Sequence, residues 1–136
     1  LTGTEQVKEK NLSTAPQIIA DEELRHTDLT LLKKTYKNDN EKILRILNLY
    51  YQNIPGQIRE LVNHADENRI KPLKTLAHSL KTSFNYLGLK KLQDYCKTLE
   101  ETSDNITEKE INRLIRKIEY RWHEVKLEIK KIIRKN

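Results

Sequence analysis

The chain has 136 residues, of which 34% are charged, with three glycines, three prolines and no methionine. This length suits one domain with one hydrophobic core, and the scarcity of turn-forming residues favours long helices over a sheet. The single cysteine, Cys96, excludes an internal disulfide, and no apolar stretch approaches the roughly 20 residues of a membrane span. We therefore expect a soluble cytoplasmic protein, with no membrane contact by this segment.

The basic charge of the chain is concentrated near its end. The formal net charge is +6, and residues 107–136 contain ten Lys and Arg against five Asp and Glu. A charge run of this kind is usually the solvated face of a helix. We therefore expect no nucleic-acid partner.

Residues 1–20 are polar and aperiodic, with Gly3, Ser13 and Pro16, which is typical of a linker or tail. We expect this tail to join the domain, residues 21–136, to something upstream. A short helix is predicted over residues 28–36, where leucines precede the turn-like residues 37–40.

A longer helix is predicted after that turn. Its apolar residues recur every three or four positions from residue 43 to residue 65, including across Pro55 and Gly56. This unbroken spacing of the apolar residues predicts one helix. We expect a kink in it, because a proline removes one backbone hydrogen bond and bends the helix at a cost of roughly 3 kcal/mol. Two separate helices are the alternative.

Three more apolar stripes follow. They cover residues 73–87, ended by Gly88, then residues 89–99, and finally residues 111–132 behind a capping-box pattern at residues 107–110. Amphipathic helices with short connections predict an all-α, up-and-down four-helix bundle, with a short additional N-terminal helix and a long C-terminal helix.

His78 lies on the polar side of the helix predicted over residues 73–87. At about 100° per residue, it falls about 150° from the centre of the apolar stripe. Positive neighbours would disfavour a protonated imidazole and attract a phosphate placed on the ring. We interpret His78 as an exposed, reactive side chain. The residues that share its face are Lys71, Lys74, Lys81, Thr82 and Asn85.

Two other site chemistries are disfavoured by the neighbours of His78. A metal site would need further His, Cys or carboxylate ligands one turn away, where the chain has only Lys and Thr, so no metal site is predicted. Ser79 is the next residue on the helix and points elsewhere, so no hydrolase arrangement is predicted. Cys96 and Trp122 are predicted core residues, and His26, His64 and His123 are predicted surface residues.

The stretch AHSLKTSFNYLGLKKLQDYCKTLE, residues 77–100, resembles the signature of histidine-containing phosphotransfer (HPt) domains. In that signature an Ala-His-x-Leu-Lys core is followed by Leu-Gly, Leu and Leu-Glu. The preceding helix, with Tyr50, Tyr51 and Pro55, looks like the upstream helix of the family, so the resemblance covers residues 28–120. Thr82 is a departure, because the family usually has glycine there, which clears the approach to the ring.

The resemblance implies a phosphoryl carrier without an ATP site. Its histidine would receive a phosphoryl group from an aspartyl-phosphate on a receiver domain and pass it to another receiver in a two-component phosphorelay. By position, His78 is the implied phosphoacceptor and Lys81 the residue that screens the phosphate charge. We expect the partner to dock on the face with Lys71, Lys74, Thr82 and Asn85.

The resemblance also implies partners and a context for the chain. The partners are response-regulator receiver domains and a sensor or hybrid histidine kinase. The chain is then either a stand-alone carrier or the C-terminal domain of a hybrid kinase. We expect no cofactor on this chain, with Mg²⁺ on the receiver.

Two alternative functions stay open at this point. Residues 78–83 resemble the His-Glu-Leu-Arg-Thr-Pro box in the dimerisation helix of sensor histidine kinases, but Ser79 and Ser83 stand where the box has its acid and proline. The other alternative is a non-catalytic helical docking or binding module. It would be either a degenerate HPt fold or a module that holds nucleic acid or an acidic partner with the basic residues Lys126, Lys130, Lys131, Arg134 and Lys135.

Overall fold

The computed structural model describes residues 24–102 and 105–135. These residues form five helices and no strand: α1, Thr30–Thr35; α2, Asn40–Asp66; α3, Ile70–Tyr86; α4, Lys90–Glu100; and α5, Glu108–Lys135. The predicted all-α class is confirmed, whereas the predicted tail, residues 1–20, lies outside the described residues. None of the described helices is long and apolar enough to span a membrane.

α2 is one continuous helix through Pro55, as the unbroken apolar phase predicts. Asp39 caps its first turn by accepting a hydrogen bond from the amide of Lys42 at 3.2 Å. Ile54 and Ile58, on either side of the proline, are buried in the core. Burial of each such side chain contributes about 1.5–3 kcal/mol, enough to offset the cost of the proline.

α1 is shorter than the predicted helix over residues 28–36. Asp28 does not enter the helix, because its carboxylate accepts hydrogen bonds from the Thr30 amide at 3.0 Å and the Thr30 hydroxyl at 2.6 Å. The Asp28 amide donates to the carbonyl of Leu87 at 2.9 Å, which ties this segment to the turn between α3 and α4. Leu29 and Leu32 are fully buried and anchor α1 on the bundle.

α2 to α5 form a four-helix bundle in which α2 and α4 each pack against both α3 and α5. Turns of only three residues, 67–69 and 87–89, join α2 to α3 and α3 to α4, so these neighbours run antiparallel. The long helix α5 begins where the capping-box pattern predicts, with the Thr107 hydroxyl accepting from the Glu110 amide at 3.1 Å. Phe84 and Trp122 meet in the core with ring centroids 6.2 Å apart.

The turn between α3 and α4 depends on Gly88. Its φ of 68° is in the left-handed region, and a Cβ at this position would lie 2.5 Å from Cβ of Asp28. The Leu89 amide closes the turn by donating to the carbonyl of Phe84 at 2.9 Å. This tight turn brings α4 back along α3, so that the end of α4 lies beside the middle of α3.

Glu128 on α5 fixes the segment before α1. Its carboxylate accepts from the backbone amides of Arg25, His26 and Thr27 at 2.9, 2.8 and 3.0 Å. Burial acts to raise the pKa of Glu128, but the hydrogen bonds from these residues together outweigh burial and hold the pKa below its ordinary value. Glu128 is therefore a charged anchor for residues 25–27.

Candidate functional site

His78 projects from the outer face of α3. Its neighbours Ala77 and Leu80 are buried in the core, and 64% of its own side chain is exposed. The exposure predicted from the helical phase is therefore confirmed. The site is built on a regular helix, which holds the Cα of His78 in a fixed position.

Glu100, in the last turn of α4, reaches the imidazole of His78. One carboxylate oxygen, Oε2, contacts Nδ1 of His78. The other oxygen, Oε1, accepts a hydrogen bond from Nζ of Lys81 at 2.6 Å, and Nζ also lies 3.2 Å from Oε2. One carboxylate thus connects the histidine to the lysine one turn further along α3.

The environment of Glu100 favours its ionised form. The hydrogen bond from Lys81 is the largest effect and lowers the pKa of Glu100; partial burial opposes it, and the contact with His78 lowers the pKa further. An ionised carboxylate can only accept hydrogen bonds, so Nδ1 of His78 is the nitrogen that carries hydrogen. In the neutral ring, Nε2 then holds the free lone pair.

Lys81 lies on the same side of α3 as His78, and only 28% of its side chain is exposed. The sequence predicts cations around the imidazole, and the structure adds the carboxylate of Glu100, which contacts both His78 and Lys81. Lys81 serves two neighbours, since it neutralises Glu100 and lies within one helical turn of the ring.

Thr82 and Asn85 are both exposed on α3, as predicted. The hydroxyl of Thr82 donates to the backbone carbonyl of His78 at 3.3 Å, which directs this hydroxyl back toward its own helix. The side-chain oxygen of Asn85 accepts from Gln93 on α4 at 3.1 Å, about two turns from His78. Asn85 therefore links α3 to α4 instead of approaching the imidazole.

Lys71 and Lys74 lie on α3 before His78, with Lys71 exposed and Lys74 half-buried. Lys71 borders a shallow groove between α2 and α3 that also contains Glu60 and His64. The structure thus places both lysines on the face around His78 but brings neither into the cluster of His78, Lys81 and Glu100.

Cys96 is buried one turn before Glu100. Burial, the largest effect, raises the pKa of its thiol to about 12; the charge of Glu100 raises it further and that of Lys81 lowers it. The thiol stays protonated at neutral pH and is a poor nucleophile, in agreement with the predicted core role. Within the described part of the chain, no group of three or more His, Cys, Asp or Glu residues could hold a metal ion.

The other histidines differ from His78 in their surroundings. His123 is exposed on α5, whereas His26 and His64 are half-buried at the surface. Nδ1 of His64 accepts from the Arg69 guanidinium at 3.2 Å, and Nε2 of His26 lies 4.0 Å from Glu128.

Glu100 is a site residue that the sequence alone does not predict. It ends the stretch that resembles the HPt signature, but nothing in that stretch assigns it a role. One feature of the sequence could have indicated that Glu100 contacts another helix: it lies at the edge of the apolar stripe formed by Leu92, Cys96 and Leu99. A residue at the edge of such a stripe lies at the boundary with a neighbouring helix.

The chain matches a known protein family. The model of the Hpt domain matches residues 45–132, which extend from the first half of α2 almost to the end of α5 and include His78, Lys81 and Glu100. No curated protein and no solved structure matches the chain significantly.

Proposed function

Because the chain belongs to the Hpt domain family, we propose that it relays a phosphoryl group between aspartyl-phosphate receiver domains through His78. The family implies histidine phosphotransfer in phosphorelays. One observation supports His78 as the acceptor: its imidazole is exposed and Nδ1 contacts Glu100. Nε2 has no hydrogen-bond partner among the described residues and is the nitrogen we assign to the reaction.

In the proposed step, the lone pair of Nε2 attacks the phosphorus of the aspartyl-phosphate. A P–N bond forms, the P–O bond to the aspartate breaks, and the aspartate leaves as a carboxylate with the electron pair. Nδ1 keeps its hydrogen, and Glu100 stabilises the positive charge that develops on the ring. In the return step the ring leaves as neutral imidazole, because Nδ1 is still protonated.

Lys81 is proposed to offset the charge of the phosphoryl group. A phosphoryl group on Nε2 would bring negative charge close to the carboxylate of Glu100, and the ammonium of Lys81 already bonds that carboxylate. Since a lysine side chain is flexible, Nζ can be shared between Glu100 and a phosphate oxygen. The rest of the catalysis is positioning, which the docked receiver would supply together with its Mg²⁺.

The proposed partners are response-regulator receiver domains and the kinase that phosphorylates the first of them. The exposed face with Lys71, Lys74 and Thr82 surrounds His78 and is the proposed docking face. An aspartyl-phosphate originates in an ATP-dependent kinase reaction, so we place the relay in the cytoplasm, where ATP is available.

The proposal is tested by incubating the full chain with a phosphorylated receiver domain and following the transferred label. The label on this chain should be acid-labile and should disappear in His78→Gln. His123→Gln, which changes an exposed histidine on α5, is the matched control and should be labelled like the wild type. Undiminished labelling of His78→Gln would refute the assignment.

A further inference from the structure

A second candidate site lies at one end of the bundle. There an open cavity of about 230 Å³ lies between the segment before α1, the turn between α3 and α4, the first turn of α4 and the middle of α5. Its apolar wall consists of Leu89, Leu92 and Val125, which are buried. The remaining lining is Gly88 and five basic residues: Arg25, His26, Lys90, Lys91 and Arg121. No acidic residue is among the described residues that line the cavity.

Neighbouring carboxylates compensate only part of this positive charge. Lys90 lies 3.6 Å from Asp94, and Nε2 of His26 lies 4.0 Å from Glu128. Arg25, Lys91 and Arg121 have no ion-pair partner within the described ranges. These positive charges belong to three elements of the fold: the segment before α1, α4 and α5. All three would attract an anion placed in the cavity.

The basic residues before α1 are held at the cavity by the backbone. The amides of Arg25 and His26 donate to Glu128, and the amide of Asp28 donates to the carbonyl of Leu87. These bonds fix the segment on both α5 and the turn between α3 and α4. Folding therefore positions the backbone of these two basic residues at the cavity.

We propose that this cavity binds a small organic phosphate. The phosphate would lie among Arg25, Lys91 and Arg121, where guanidinium and ammonium groups can bond its oxygens. The organic part would lie against Leu89, Leu92 and Val125. The size of the cavity suits a phosphate with one small ring, which the apolar wall would contact while the basic groups fix its orientation.

This site is distinct from the relay site. None of its lining residues belongs to the cluster of His78, Lys81 and Glu100. A bound phosphate would join residues 25–26 to α4 and α5 and would thereby stabilise the folded chain, since a ligand that binds only the folded state raises its stability.

Phenyl phosphate is the probe, titrated into the full chain labelled with ¹⁵N. Amide signals of residues 25–26 and 88–92 should shift together, with a dissociation constant of about 1 mM for a ligand of this size. Inorganic phosphate should bind at least about threefold more weakly, because it lacks the apolar part. Equal binding of inorganic phosphate, or shifts confined to other residues, would overturn the proposal.

A pair of variants separates the cavity from general attraction to a basic protein. Lys91→Gln with Arg121→Gln should weaken binding by about tenfold or more. Arg116→Gln with Lys131→Gln removes the same charge from exposed positions on α5 outside the cavity and should change binding less than about twofold. Equal weakening in both pairs would overturn the proposal. If the variant with Lys91→Gln and Arg121→Gln does not fold, the positions of the amide signals that shift in the wild type still test the proposal.

The acidic residues Asp21, Glu22 and Glu23 precede Arg25 in sequence and lie outside the described residues. A variant with Asn, Gln and Gln at these positions tests whether one of these carboxylates occupies the cavity in place of a free phosphate. Phenyl phosphate should bind the wild type and this variant within about threefold. Binding that appeared only in the variant would overturn the proposal of a free ligand.

Discussion

The carboxylate of Glu100 on α4 contacts Nδ1 of His78 on α3, although the two residues are 22 positions apart in sequence. This contact selects the nitrogen that carries hydrogen and leaves the lone pair of Nε2 free, as the proposed nucleophile requires. It also gives the imidazole a fixed orientation on an otherwise exposed helix face. Glu100 is therefore the residue that orients the proposed acceptor, and Lys81 keeps Glu100 ionised.

Glu100→Gln should slow phosphoryl transfer from a receiver by roughly five- to thirtyfold, about 1–2 kcal/mol. The amide oxygen of Gln can still accept from Nδ1, but its negative charge is lost. Glu100→Ala should be slower still, because the ring is no longer oriented. Single-turnover transfer measures both rates, with Glu101→Gln as the exposed neighbouring control. Wild-type rates in both Glu100 variants would show that the contact plays no part in transfer.

Lys81→Ala should slow the same transfer by roughly ten- to a thousandfold, about 1.4–4 kcal/mol of transition-state stabilisation. The loss arises because no cation then offsets the charges of the phosphoryl group and Glu100. Lys97→Ala removes an exposed lysine from α4 and is the matched control. Helical content by circular dichroism should be unchanged in both. A rate equal to that of the control would remove Lys81 from the mechanism.

Thr82→Gly should maintain or raise the transfer rate, whereas Thr82→Tyr should lower it. Thr82 lies one turn beyond His78 on the exposed face, so a larger side chain there obstructs the approaching receiver. The glycine variant costs up to about 1 kcal/mol of helix stability. Exposed Thr98 makes the same kind of backbone hydrogen bond on α4, to the carbonyl of Asp94, and its Gly and Tyr variants serve as controls outside the proposed docking face. Undisturbed transfer in Thr82→Tyr would place docking elsewhere.

Local patterns in the sequence predict the helices well and the site only in part. The spacing of three and four residues between apolar positions correctly predicts one helix through Pro55, because packing of α2 outweighs one lost hydrogen bond. The exposure of His78 follows from its position opposite the apolar stripe of its own helix. The contact with Glu100 depends on how α3 and α4 are aligned, which the phase of a single helix does not specify. The bond between Asn85 and Gln93 escaped prediction for the same reason.

Gly88→Ala should destabilise the fold by about 2–4 kcal/mol. The added Cβ would require a positive φ for a non-glycine residue and would lie 2.6 Å from the carbonyl oxygen of Asp28. Gly56→Ala is the control, because Gly56 lies inside α2 and its added Cβ would meet only the flexible Arg59 side chain, at 3.6 Å. This control should gain about 0.5–1 kcal/mol. Urea unfolding measures both, and equal stability of the two variants would contradict the close packing at Gly88.

The position of the phosphoryl group on the imidazole shows directly whether Nε2 of His78 is the acceptor. The full chain, labelled with ¹⁵N in its histidines, is phosphorylated by a phosphorylated receiver and examined by ¹⁵N and ³¹P NMR at neutral pH. The proposed role of Nε2 predicts a single phosphohistidine at residue 78, with phosphorus bonded to Nε2 and hydrogen retained on Nδ1. Phosphorus on Nδ1 of His78, or on a different residue, would contradict it.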